Sequence, residues 1–339
     1  SIVHPYRCSA NPAMIKYIPL INDLWPIVAP SEDSTKSSVA EMNKLKKRAE
    51  QLSAKVEAEL TSSGESSSDD VEKLAAKADE LYVNVVQNLG GVEAIEQHTQ
   101  RSTQLQNEIK RRLGKTVPWR HDFIIHHLGL TGLIGVGQRA IKPIFDFLVE
   151  KTAQKFGAVA LLPMVKGPER AEVKVRTRYG GDASQLSDIV RATLMFKIRP
   201  NVIADIYAAI DEIVFMSELN GVRASVTLLD DRYQHPRGQY RDILVLFKIN
   251  GYACELQINI DEILIIKEGL GHKQYELIRK MNDDLLDAAM RDNTSDAQTA
   301  LSGKADPNAP RDMYDLTPLH YAAFNGHKEI AELLIAKGA

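Results

Sequence analysis

The sequence predicts an α+β or α/β protein: a mixed sheet flanked by helices, preceded by a separate helical region. Three observations carry this. Between Leu161 and Lys280 helix and strand signals alternate, the pattern of a layered sheet-and-helix domain. Two of those strands are joined by Asn250-Gly251, a dipeptide that suits a two-residue antiparallel hairpin. Ahead of this block, Met42, Leu45, Ala49, Leu52 and Val56 recur at three- and four-residue spacing among Lys and Glu, a heptad stripe.

Taken in order, residues 1–37 read as irregular, with Pro5, Pro12, Pro19, Pro26 and Pro30 spread through them. Residues 38–118 read as helical hairpins or a short coiled-coil bundle. A first helix from Ser38 ends in a Ser/Gly/Glu-rich break at Thr61–Ser68. Asp69 or Asp70 offers an N-cap to a second helix carrying Leu74, Ala78, Leu81 and Val85, which Gly90-Gly91 stops. A third spans roughly Val92–Leu113. These helices are expected to cap the next domain, with self-association as the alternative use of the stripe.

The domain over 119–281 has its core at 161–280. A Gly-punctuated apolar loop follows Pro118-Trp119 and leads into a helix at about Arg139–Phe156. Pro168 opens a helix that runs to Tyr179 and is stopped by Gly180-Gly181. Arg191–Ile198 reads as a strand, Asn201–Leu219 as a helix, and Arg223–Leu229, Tyr240–Ile249 and Tyr252–Ile260 as strands; Asp261–Met281 is the closing helix.

Composition narrows the function classes. A net charge of −3 gives no general basic excess for nucleic-acid binding. Cys8 and Cys254 are the only cysteines and lie far apart, which speaks against a disulfide framework and for a reducing compartment, hence a cytoplasmic expectation. No stretch has the length and continuity of a membrane-spanning helix; Phe123–Gly137 is short, Gly-rich and carries His126 and His127. The start at Ser1 suggests a piece of a longer chain.

Candidate chemistry centres on two acidic residues. Asp188 precedes an apolar run, and Glu255 sits in an alternating strand where Glu255, Gln257 and Asn259 share one face. A carboxylate on a half-buried strand is costly unless paired, and two of them on one sheet can hold Mg²⁺ beside a nucleotide triphosphate. Arg170, Lys174 and Arg178 recur every four residues on one helical face, with Lys166 just ahead of the helix start, a seat for phosphates. Arg191 lies three residues beyond Asp188, suited to charge neutralisation in phosphoryl transfer. Tyr240 and Arg241 lie at a loop-to-strand junction, where a ring can stack on a base and a guanidinium can bind phosphate. Each also has a plain structural reading: a solvated helix face, an Asp–Arg pair, a Tyr at the sheet edge.

In combination, the basic helix, Gly-Gly-Asp182, Asp188-Ile-Val-Arg-Ala-Thr193, Tyr240-Arg-Asp-Ile243, Glu255-Leu-Gln-Ile258 and Gly271-His-Lys-Gln-Tyr-Glu276 stand in the order of a known family. The stretch resembles the synthetase domain of the RelA/SpoT alarmone (ppGpp) synthetases over about Leu161–Lys280. The resemblance implies a nucleotidyltransferase-like sheet and Mg²⁺-dependent transfer of pyrophosphate from ATP to a nucleotide 3′-hydroxyl, usually of GDP or GTP. It implies Asp188 and Glu255 as metal ligands, with Glu255 alternatively the general base. It implies Lys166, Arg170, Lys174 and Arg191 around the ATP phosphates, and Tyr240 stacked on the acceptor base, with Arg241, Gln257 and His272 beside the acceptor. Gln239 stands where the family has Gly, Leu244 where it often has His, and Gly167 where it has Ser. These departures cluster on the acceptor side, so another 3′-hydroxyl, including a tRNA end, remains an alternative acceptor.

The segment Leu316–Ala339 resembles an ankyrin repeat, through Thr317-Pro-Leu-His320 and the closing Gly338-Ala339. Leu285–Asn308 reads as a degenerate first repeat, Asp315 replaces the usual Gly, and the region is bounded at 284–339. Single repeats do not bury their own apolar face, so the array is expected to continue past Ala339 and to bind a protein partner. The alternative function is a degenerate nucleotide-binding domain within an ankyrin scaffold.

Overall fold

Strict alternation along Tyr252–Ile260 puts Cys254, Leu256, Ile258 and Ile260 on one face of a strand and Glu255, Gln257 and Asn259 on the other, and this strand organises the sheet. The computed structural model describes residues 32–61, 67–114, 120–122, 128–216, 218–219, 222–235, 241–309 and 316–339; the side chains of 32–35, 60–61, 67–72, 177–178, 218–219, 272–276 and 279 are not described.

Among the described residues, six strands make one mixed sheet: β1 (Val159–Leu161), β2 (Val190–Phe196), β3 (Glu218–Leu219), β4 (Val222–Asp231), β5 (Ile243–Ile249) and β6 (Tyr252–Ile260), in the order β1-β2-β6-β5-β4-β3. Only β2 and β6 are parallel; the other neighbours are antiparallel. The β5–β6 turn is the Asn250-Gly251 hairpin, with φ of 47° and 81°, the left-handed pair that two-residue hairpins need. One face of the sheet is apolar: Val190, Leu194, Phe196, Ile243, Phe247, Ile249, Cys254 and Ile258 are fully buried.

Helices flank both faces of the sheet. They are α1 (Glu32–Thr61), α2 (Ser67–Asn88), α3 (Val92–Glu96), α4 (Thr99–Leu113), α5 (Gly129–Val136), α6 (Lys142–Phe156), α7 (Pro168–Tyr179) and α8 (Val202–Val214). Phe145 of α6 meets Phe247 edge-on at 5.7 Å, and Ile206, Ile210 and Ile213 of α8 are fully buried. Beyond the sheet come α9 (Asp261–Ile266), a π-helical turn (Lys267–Gly271) and α10 (His272–Arg291), then α11 (Thr294–Ser302), α12 (Pro318–Asn325) and α13 (Lys328–Ala336).

The heptad stripe is used within the chain. Ala49 and Val56 are buried, and Met42 and Leu45 pack with Leu161, Met195 and Leu264. Ser38 Oγ accepts from the Leu162 backbone N–H at 2.8 Å, and Arg48 donates to Glu262 at 2.5 Å. α1 comes so close to the π turn that a Cβ on Gly269 would lie 2.7 Å from the Ala49 carbonyl oxygen. The cap reading therefore describes these helices.

Several expectations need correction. The first helix starts at Glu32, not Ser38, and the second at Ser67, ahead of Asp69. The third stretch is two helices, separated at Gln97-His98. The segment expected as a loop before Arg139 is helical from Gly129, because its apolar side chains find the core and outweigh the glycines. β1, three residues long, is too short to show a period in the sequence. α8 stops at Val214, and Glu218–Leu219 pairs with β4. β5 starts at Ile243, and its expected beginning at Tyr240 lies outside the described residues. The closing helix runs past Met281 to Arg291, so the last helix of the sheet domain is also the first of the repeats.

That shared helix founds a second core: Leu285 and Ala289 of α10, Ala297 of α11, Ala322 of α12, and Ile330 and Leu334 of α13. Thr317 caps α12 reciprocally with His320, whose Nδ1 accepts from the Thr317 N–H at 3.1 Å. Asp315 lies outside the described residues. Among the described residues, no helix is long and apolar enough to cross a membrane.

Candidate functional site

Asp188 is placed by the turn that ends α7. Gly180 and Gly181 adopt left-handed φ of 55° and 85°, reversing the chain. Asp182 then accepts from the Ser184 N–H at 3.0 Å and pairs with Arg120. The chain returns towards β2 with Asp188 buried two residues before Val190. The segment before α7 is held alongside, the Lys166 N–H donating to the Ile189 carbonyl at 3.0 Å.

Two ammonium groups therefore converge on one carboxylate oxygen. Lys166 Nζ donates to Asp188 Oδ2 at 2.5 Å and Lys174 Nζ at 2.9 Å. The other oxygen, Oδ1, is buried with no hydrogen-bond partner. Burial works against the Asp188 carboxylate, but Lys174 and Lys166 outweigh it and hold its pKa below the usual range. For Lys174, burial is likewise outweighed, by Asp188 and then Tyr179 and Glu255, so its pKa is raised. For Lys166 burial wins over the same carboxylate, and the neighbouring Lys174 and Arg191 add to the lowering.

Glu255 stands one strand away. In register, Arg191 of β2 lies beside Glu255 of β6, and Thr193 beside Gln257. Gln257 Nε2 donates to Glu255 Oε1 at 2.8 Å, and Lys267 Nζ donates to Gln257 Oε1 at 2.7 Å. Lys267 also pairs with fully buried Asp242 at 3.4 Å, and Asp242 with Arg232 at 3.0 Å. The polar face of the sheet thus carries a chain of contacts from Glu255 through Gln257, Lys267 and Asp242 to Arg232.

Of the residues singled out from sequence, Lys166, Lys174, Asp188, Arg191, Glu255 and Gln257 come together. Arg170 is exposed on the first turn of α7. Arg241 reaches α2, pairing with Asp79 at 3.3 Å and lying 5.3 Å over the Tyr82 ring. Tyr240 lies outside the described residues, as does the side chain of His272, whose backbone opens α10. Sequence reading missed Lys267, Asp242 and Arg232. Only the burial of Asp242 and Arg232, with Lys267 half-buried between them and the strand, marks them, and burial is a property of the folded chain.

It also missed His121. This ring is 2 % exposed. Its Nδ1 accepts from the Ala253 N–H at 2.9 Å, so Nε2 carries the proton and donates to the Leu186 carbonyl at 3.1 Å. It joins the Asp188 turn to the start of the Glu255 strand. Burial lowers its pKa to about 4.

For a divalent cation, the fitting donors are Asp188, with its unpartnered Oδ1, and Glu255. Mg²⁺ takes one or two carboxylates and completes its shell with water and phosphate oxygens. Among the described residues there is no group of three or more His, Cys, Asp or Glu that could hold a metal by itself. A separate cavity of about 390 Å³ lies between α10 and α11, lined by Met281, Asp284, Arg291 and Asp296 among others, apart from the Asp188 group.

Comparison with known proteins adds one family. Residues 285–335 match the model for "Ankyrin repeats (many copies)". No curated protein matches the chain. Among solved structures, a chain of "Crystal structure of the complex between the Type VI effector Tas1 and its immunity protein" matches with 18 % identity, 62 % of this chain and 97 % of that chain covered, and a TM-score of 0.33. A likeness at that score is too slight to carry an argument about fold or function. Ankyrin repeats are thus supported at residues 285–335.

Proposed function

We propose that this chain is an ATP-dependent pyrophosphokinase, transferring the β,γ-diphosphate of ATP to the 3′-hydroxyl of a nucleotide, with GDP or GTP as the first candidate acceptor. The observation that carries this reading is the convergence of Lys166 and Lys174 on Asp188, one strand from Glu255. Two half-buried ammonium groups beside two carboxylates form a seat for a polyphosphate and for the cation that accompanies it.

Asp188, through its unpartnered Oδ1, would hold Mg²⁺, which when bound would draw charge from the phosphate oxygens, while Glu255 serves as the base in place of a second ligand. Lys166 and Lys174, both donors only, exchange part of their contact with Asp188 for phosphate oxygens when ATP enters. Arg191, beside Glu255 in register, adds a third cation. Glu255 accepts the proton of the acceptor 3′-hydroxyl. The hydroxyl oxygen forms a bond to the β-phosphorus; the bond from that phosphorus to the oxygen bridging to the α-phosphate breaks, and AMP leaves with the electron pair. Arg241, Gln257 and His272 are assigned to the acceptor side, with Tyr240 as the base platform. The ankyrin pair supplies a surface for a protein partner, separate from this chemistry.

Incubation of the chain with γ-labelled ATP, Mg²⁺ and GDP, GTP, ADP or tRNA tests the reading. A labelled, 3′-modified product with one acceptor supports it. Nucleotide binding without transfer to any acceptor would leave the degenerate, scaffold reading in its place.

A further inference from the structure

Glu255 does not stand alone on its strand. Its Oε1 accepts from Gln257 Nε2 at 2.8 Å, while Gln257 Oε1 accepts from Lys267 Nζ at 2.7 Å. A Gln amide is a donor at one end and an acceptor at the other, and nothing in its shape decides which end faces a neighbour. An ammonium can only donate. Lys267 therefore takes the oxygen end and leaves the NH₂ end to Glu255. Without it, the amide can turn its oxygen towards the carboxylate, replacing an attraction with a repulsion.

Lys267 is itself held. Its side chain is 16 % exposed and pairs at 3.4 Å with Asp242, which is fully buried and pairs in turn with Arg232 at 3.0 Å. It opens the π-helical turn Lys267–Gly271, a local widening of the closing helix of the kind often found where a helix serves a site. Gly269, in the same turn, touches the α1 backbone so closely that a Cβ there would clash, which fixes the turn against the cap helices. Donors and acceptors alternate along Asp242–Lys267–Gln257–Glu255, so each member sets the orientation of the next, and Arg232 adds an ion pair to Asp242.

We infer that Lys267 is a positioning residue for the proposed transfer: through Gln257 it engages Glu255 Oε1, leaving Oε2 to take the acceptor hydroxyl proton. The inference rests on the proposed role of Glu255 and adds a residue that the RelA/SpoT resemblance does not supply. Lys267 touches neither substrate in this scheme.

The test uses the full chain with Lys267→Met and Lys267→Arg. In Lys267→Met, kcat falls roughly ten- to hundredfold while KM for ATP stays within about twofold, as for loss of an outer partner that orients a reacting group. Lys267→Arg, still a donor-only cation, recovers most of the rate. In a Glu255→Gln background, Lys267→Met causes no further loss, whereas a merely structural role would subtract equally in both backgrounds. Equal losses, an unchanged kcat, or failure of Lys267→Arg to recover the rate would overturn the inference. An activity-independent measurement separates its failure from that of the functional reading. With ¹⁵N-glutamine labelling, and the Gln257 signals assigned by their loss in Gln257→Leu, one Gln257 side-chain amide proton is shifted downfield in the wild type and not in Lys267→Met. The same spectrum in both proteins rejects the positioning role even if no acceptor is found, and a difference upholds it.

Discussion

His121 offers a sharp test of how the two acidic strands are joined. It is neutral, buried, and committed at both ring nitrogens, to Ala253 and to Leu186. Its pKa falls from an ordinary 6.5 to about 4, chiefly through burial, with Lys248 adding to the lowering and the Leu186 carbonyl and Asp122 opposing it. The unfolded chain therefore binds more protons than the folded one between these values, and stability falls as pH drops through that window. Between about pH 7.5 and pH 5 the loss from this one ring is about 2 kcal/mol, approaching about 3 kcal/mol below pH 4. Asp146 works in the opposite sense. Burial raises its pKa from 3.8 to about 6, against the pull of Lys142, so acidification relieves it. That relief returns about 1 kcal/mol over the same interval, so the wild-type profile alone masks the effect. The observable is a difference. His121→Asn keeps an acceptor near the Nδ1 position but cannot take a proton. Urea unfolding followed by circular dichroism, at both pH values, gives its stability relative to wild type. The variant is expected to be less stable at neutral pH, with the gap narrowing by about 2 kcal/mol at pH 5. A gap of the same size at both pH values would refute the assignment of a neutral, proton-excluding clamp.

Other predictions concern the phosphate seat and the cap. Lys174→Met removes one of two ammonium groups while Lys166 still neutralises Asp188; ATP affinity measured by calorimetry is expected to weaken roughly ten- to hundredfold, the loss of a charge-assisted contact. Gly269→Ala places a methyl 2.7 Å from the Ala49 carbonyl oxygen, and chemical denaturation is expected to show a loss of about 1–3 kcal/mol. An unchanged midpoint would mean that α1 yields at that contact.

Much of the frame was legible because it rests on local rules. The β6 alternation, the Asn250-Gly251 turn, and the Pro168 start and Gly180-Gly181 stop of α7 all follow from backbone geometry and side-chain period. What was not legible depends on partners distant in sequence. Helix α5 carries Gly129, Gly132 and Gly135, which locally argue for a loop, and only burial of Leu133 in the common core explains its helicity. α10 serves two cores, so its two halves carry the signals of two different domains and its continuity shows only in the folded chain. In the site, carboxylates on strands announce themselves through the cost of burying charge. Lys267, Asp242 and His121 carry no such local mark. Their partners are 10, 25, 65 and 132 residues away, at Gln257, between Lys267 and Asp242, and from His121 to Leu186 and Ala253.

The central claim is that Asp188 and Glu255 serve one transfer reaction. It is tested most directly by stoichiometry, using ATP labelled in the adenine and in the γ-phosphate with the best acceptor found. The account predicts one AMP released for each γ-label transferred to the acceptor, with Asp188→Asn and Glu255→Gln each lowering the rate by at least about a hundredfold while circular dichroism stays unchanged. Release of ADP or free phosphate in place of AMP, or full transfer by folded Asp188→Asn or Glu255→Gln protein, would contradict it.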